Sequence, residues 1–309
     1  MESPLDPPQF TGVDRLKITD GTAELEVTPA GGCITAFRWP REGQTIDWLR
    51  PAPPGAAFGP GDTGCFPLLP YSNRIRDGRY TFQGRHYRLT RNFAPAPHSI
   101  HGHGWKAPWQ VADAAEGHLV LRYDHGADDW PSAYRAEQRF DLAGGALRVT
   151  LTLTNTGAAA MPAGLGLHPY FPRTPLCRLT AGVREMWAAD GEVMPTRLVP
   201  PSPGANPAQG MLPERAALDN CFTGFSGQAV IDWPERAASL TVAADATLGF
   251  LVVFTPPGAD FFCVEPVSHG TDAINRAAPD QPDSGMSVLK PTECFVSSIL
   301  FTPRLNGAV

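Results

Sequence analysis

The chain has 309 residues, 42% of them hydrophobic and 18% charged, with a formal net charge of −6 at pH 7. That balance excludes general disorder, and the lack of any Lys/Arg run removes the basic footprint that nucleic acid requires. With 31 Gly and 33 Pro, the chain is expected to turn often and to hold few long helices.

Met1 to Asp6 carry no basic segment followed by an apolar one, so no signal peptide is expected. No apolar run reaches the ~18 residues of a membrane span, and the expected location is the cytoplasm. Ala23, Leu25 and Val27 alternate with Glu24 and Glu26 as far as Pro29-Ala30-Gly31-Gly32, the pattern of a half-buried strand. Pro51 to Gly64 reads as a long loop, and Arg79 to Thr90 as a hairpin turning at Gln83-Gly84. Leu119, Leu121 and Tyr123 alternate in the same way. So do Leu147, Val149, Leu151 and Leu153, up to Asn155-Thr156-Gly157. Pro195 to Pro207 reads as a second long loop. Leu251 to Phe254 and Phe261 to Val264 are short continuous apolar runs, as expected of strands covered on both faces.

No stretch keeps a 3.6-residue period over three turns, and no internal repeat is found. The expectation is one all-β domain over residues 1–309, a large antiparallel β-sandwich of two packed sheets. None of the six cysteines stands in a C-x-x-C pair, so they read as buried free thiols in a reducing compartment rather than a disulfide framework.

The residues that invite chemistry lie in loops and at strand ends. Asn73-Arg74-Ile75 follows the Pro-punctuated segment Phe66 to Pro70. His98, His101 and His103 share one loop, but their spacing is weak metal-site evidence without an acidic or Cys partner, and no metal is expected. His168 stands in Gly166-Leu167-His168-Pro169-Tyr170-Phe171, and by itself reads as well as a satisfied core histidine. Glu265 closes an apolar strand, where a charge is costly unless solvated or paired. Asp219 reads equally as a turn residue.

Together these segments resemble the aldose 1-epimerase (galactose mutarotase) family. The likeness rests on Asn73-Arg74-Ile75, His101-Gly102, His168-Pro169-Tyr170-Phe171, Asp219, Glu265-Pro266 and Asp272-Ala273-Ile274-Asn275, and it runs to Met286-Ser287-Val288-Leu289-Lys290-Pro291. The resemblance implies a galactose mutarotase-like supersandwich that interconverts α and β anomers of a free aldose such as glucose or galactose, with no cofactor. It implies His168 as general acid and Glu265 as general base. Arg74, His101 and Asp219 would hold sugar hydroxyls, and Asn73 and Tyr170 would line the pocket. The chain departs from the family pattern at Leu167, at Pro169 and in the loop His101-Gly102-His103-Gly104.

At neutral pH a Glu265 near the usual ~4.3 would be ionised. A His168 near ~6.5 would be partly protonated, helped by that carboxylate. Trp105, Trp109, Trp130 and Tyr170 are candidates to stack on a sugar, most of them expected to be core instead. The rival readings are a non-catalytic sugar-binding protein, a glycoside hydrolase using Asp219 with Glu265, and an epimerase of a phosphosugar. The expected partner is a small sugar, in a monomer or homodimer, with no nucleic acid and no membrane.

Overall fold

The computed structural model describes residues 8–55, 57–276 and 284–306. Among these residues the strands form two large sheets whose neighbouring strands all pair antiparallel. The larger has eleven strands. Its path runs Leu16–Thr19, Glu24–Thr28, Cys33–Arg41, Cys65–Leu68, Gly166–Pro172, Phe261–Val267, Phe250–Phe254, Asp219–Thr223, Met186–Ala189 and Pro195–Val199, with Gln44–Asp47 added beside Cys33–Arg41. The smaller has eight strands, in the order Gln110–Ala115, His118–His125, Tyr134–Ala143, Ala146–Asn155, Cys294–Leu305, Ala238–Ala244, Gln228–Trp233 and Arg178–Ala181.

The alternating segments fold as their period requires. Leu147, Val149, Leu151 and Leu153 are buried, as are Ala23, Leu25 and Val27. One apolar core joins the two sheets. Phe37, Leu167, Val253 and Val264 of the larger meet Leu121, Phe140, Val149 and Ile299 of the smaller. The hairpin forms with Arg79–Phe82 against Arg85–Arg88. Gln83 and Gly84 both have positive φ, 49° and 75°, which matches a tight turn to the right-handed twist of its strands.

Phe250–Phe254 and Phe261–Val267 are buried on both faces as expected. One face joins the main core, and the other belongs to a second apolar cluster with Phe66, Ile100, Trp105, Tyr170, Val252 and Cys263. Two expectations need correction. Residues 195–199 are not loop but an edge strand, whose Pro195 stands at its first position, where no ladder hydrogen bond from N–H is needed. Cys294 is an exposed thiol, while the other five cysteines are buried and free.

Candidate active site

Two central strands supply the centre of the site. Gly166–Pro172 pairs with Phe261–Val267 on one side and with Cys65–Leu68 on the other. Since side chains alternate along a strand, Leu167 enters the main core while His168 faces the second cluster. Glu265 projects to the same place, and His168 Nε2 stands 3.3 Å from Glu265 Oε1. The imidazole is held between two rings. Phe66, its register partner, stacks at 4.4 Å and Tyr170 at 4.7 Å, each within 26° of parallel. Beyond Tyr170, the Arg50 guanidinium lies over the phenol ring at 4.2 Å.

A second group of residues comes from two loops locked together. Arg74–Ile75 pairs with Ser99–Ile100. The Asn73 N–H donates to His101 Nδ1 at 3.1 Å, and the His101 N–H donates to the Asn73 carbonyl at 2.9 Å. With Nδ1 accepting, a neutral His101 carries its proton on Nε2 and offers a donor there. Asn73, His101 and Gly102 all have positive φ, between 55° and 65°. The Arg74 guanidinium donates to Asn73 Oδ1 and to Asp219 Oδ2, both at 3.1 Å, which ties the loops to the strand that begins at Asp219.

All seven sequence-predicted residues, Asn73, Arg74, His101, His168, Tyr170, Asp219 and Glu265, line one cleft of about 190 Å³. Larger and more open clefts exist, of about 860 Å³ beside Arg184 and Arg276 and about 690 Å³ beside Arg173 and Arg236. Neither contains a paired acid and base, so size does not mark the site here. Of the tryptophans considered, Trp105 lines the small cleft, whereas Trp109 and Trp130 belong to the main core. Phe66, Phe93, Ile100 and Phe254 complete its apolar wall. Phe66 stands in a segment whose composition marks it only as apolar, and its register opposite His168 gives no signal in sequence.

Burial governs the protons. It holds His168 down to about 3, with Arg50 and Arg74 adding to the effect. It pushes Glu265 well above the usual carboxylate range, reinforced by Asp219 and opposed by Arg74. His101 is held well below its ordinary value by burial, then by His168 and Arg74. The expectation of a partly protonated His168 and an ordinary Glu265 is therefore reversed for the free site. Removing both groups from water disfavours the charged form of each, and this outweighs their mutual attraction.

The fold is thus an antiparallel β-sandwich in which a buried His/Glu pair lines a small cleft. The chain belongs to the aldose 1-epimerase family, whose model matches residues 14–302. It is 34% identical over 298 residues to the uncharacterized protein YphB of Escherichia coli K12, an alignment covering 91% of this chain and 96% of that one. Its fold matches a candidate aldose 1-epimerase from E. coli K12 with a TM-score of 0.86 and 30% identity, covering 95% of this chain and 100% of the other. A galactose mutarotase-like protein from Clostridium acetobutylicum matches with a TM-score of 0.84 and 19% identity, covering 97% and 99%; that likeness speaks for the fold.

Proposed function

We propose that the protein interconverts the α and β anomers of an unphosphorylated aldose such as glucose or galactose, with His168 and Glu265 as the proton-transfer pair. The observation that carries this reading is the 3.3 Å approach of His168 Nε2 to Glu265 Oε1 at the floor of the cleft. Anomerisation opens the ring by delivering a proton to the ring oxygen while another leaves the C1 hydroxyl. Both oxygens are bonded to C1, so an acid and a base must stand side by side. Rotation about C1–C2 and closure then run the same transfers in reverse.

The pair needs one proton between its two members. With that proton it carries no net charge, the least costly state for two buried groups. Protonated His168 with ionised Glu265, and neutral His168 with protonated Glu265, are two placements of the same proton. The burial effects favour the second in the free protein, and a sugar bridging the two groups moves the proton between them. Each positioned group contributes ~10²–10⁴-fold, enough for a reaction that also proceeds unaided in water.

Arg74, His101 and Asp219 present a donor, a donor and an acceptor to sugar hydroxyls, with Asn73 and Tyr170 beside them. Among the described residues Arg74 is the one Lys or Arg lining the cleft, and it is already paired with Asp219. This favours an unphosphorylated sugar over a phosphosugar, whose recognition calls for unpaired positive charge.

Polarimetry on α-D-glucose and α-D-galactose tests the proposal. His168→Ala and Glu265→Gln should each bring the rate to within about tenfold of the uncatalysed one, with unchanged circular dichroism. A variant of either kind with wild-type rates removes the assignment. Sugar binding without any rate in the wild type would favour a non-catalytic binding protein.

A further inference from the structure

The proton-transfer scheme leaves one reactive group in the site unused. Cys263 and Glu265 are two residues apart on the Phe261–Val267 strand and so share a face. Cys263 is a fully buried free thiol whose register partner is Tyr170. The thiol sulfur, a His168 ring nitrogen and a Glu265 carboxylate oxygen all lie within 4.8 Å of one another.

We propose that His168, Cys263 and Glu265 form a binding site for a thiophilic divalent cation of the Zn²⁺ or Cd²⁺ kind, and that filling it stops the proton transfer. The donors are a thiolate, an imidazole and a carboxylate, the three ligand types zinc prefers. Their charges suit a buried place: one thiolate and one carboxylate balance a dication, and the imidazole binds in its neutral form, so the filled site holds no net charge.

The distances fit as well. Two light-atom ligands at 2.0–2.1 Å from a tetrahedral centre lie about 3.3 Å apart, the separation of His168 Nε2 from Glu265 Oε1. The sulfur has to close in by at most about 1.3 Å, within reach of a rotation about its own Cα–Cβ bond. A fourth position opens toward the cleft, where a water or a sugar hydroxyl completes the shell. An ion there occupies the same lone pairs that exchange protons with the substrate.

A second cluster, His103 with His125 and Asp128, has comparable separations. Its imidazoles, however, stack at 4.6 Å with their planes only 14° apart. Their ring-nitrogen lone pairs therefore lie in two nearly parallel planes, which is poor for converging on one ion, and Asp128 is exposed.

The test uses full-length protein stripped of metal with a chelator that is then removed. Calorimetric titration with Zn²⁺, and titration with Cd²⁺ followed by the ultraviolet thiolate-to-metal band, should each show one ion per chain. Cys263→Ser should weaken Zn²⁺ binding at least tenfold and remove the Cd²⁺ band, and Glu265→Gln should weaken binding similarly. Cys294→Ser and His125→Ala should leave both signals unchanged. The blocking effect rests on the epimerase reading: Zn²⁺ should abolish wild-type mutarotation reversibly, and Cys263→Ser should keep its basal rate at tenfold higher Zn²⁺. An absence of saturable binding, or an undiminished band in Cys263→Ser, overturns the site. Binding that leaves the rate unchanged overturns the blocking. Should the wild type show no mutarotation at all, the epimerase reading fails while the binding measurements still decide the site.

Discussion

Glu265 is 2% exposed, and its environment resists the charge that the proposed function requires of it for part of each turnover. A carboxyl kept for chemistry at such a place is a source of instability that Gln removes. Glu265→Gln is therefore expected to raise the unfolding free energy by about 1 kcal/mol, seen as a higher thermal midpoint, while mutarotation is lost. A lower midpoint would mean that the carboxylate is well compensated in the fold. The same burial sets the pH profile. Under the proposed function the working pair holds one proton: acid adds a second, and base removes the last. Because His168 is held down to about 3 and Glu265 is pushed up, kcat/KM should be bell-shaped. Its acid limb should lie well below the ~6.5 of an ordinary histidine. An acid limb at 6.5 or above, in rates corrected for the spontaneous reaction, contradicts the one-proton pair. Seven of the lining residues, Asn73, Arg74, His101, His168, Tyr170, Asp219 and Glu265, were legible through ordered short motifs. The protonation states were not, because they depend on how much water the fold removes, and neither Phe66 against the imidazole nor Cys263 beside it carries a mark in the sequence.

Strands and loops divide the work of holding the site. His168 and Glu265 sit on hydrogen-bonded neighbours, Gly166–Pro172 and Phe261–Val267, whereas His101 depends on a tightly turned loop. Gly102 has φ of 65°, and a Cβ there would meet the Leu69 carbonyl oxygen at 2.1 Å. Gly102→Ala is expected to cost more than about 2 kcal/mol of stability and to raise KM by displacing His101. Thermal unfolding and steady-state kinetics read the two effects, and a wild-type KM would show that the loop yields elsewhere. Strands with strict alternation, such as Ala146–Asn155, were plain from their period. Pro195–Val199 was hidden because its proline reads as punctuation, although a first-position proline on an edge strand interrupts nothing.

Across the molecule, acid should loosen the fold through histidines buried in neutral form. His269 Nε2 accepts the Ser72 N–H at 3.1 Å and Nδ1 donates to the Gly270 carbonyl, joining segments 197 residues apart. Burial holds it at about 4. A group whose folded value is depressed contributes fully above its unfolded value of ~6.5 and loses that contribution as pH falls toward 4. The loss from this residue is up to about 3 kcal/mol. His269→Gln, which can keep both hydrogen bonds, should flatten urea-unfolding stability over that interval, and an unchanged slope would place the acid sensitivity elsewhere. The sandwich was legible from abundant alternation and turns. The strand order was not, since Cys65–Leu68 lies beside Gly166–Pro172 across about a hundred residues of chain, and no local pattern encodes such a neighbour.

His168 and Glu265 stand on the sheet, while Phe93, Ile100 and Trp105, which line another part of the cleft, come from the segment between the Arg85–Arg88 and Gln110–Ala115 strands. Under the proposed function, drift in that segment would alter which sugar is admitted without disturbing how it is handled. Descendants of one ancestor can thus diverge in diet while inheriting the reaction unchanged, and differences among relatives should gather in the wall before they reach the floor.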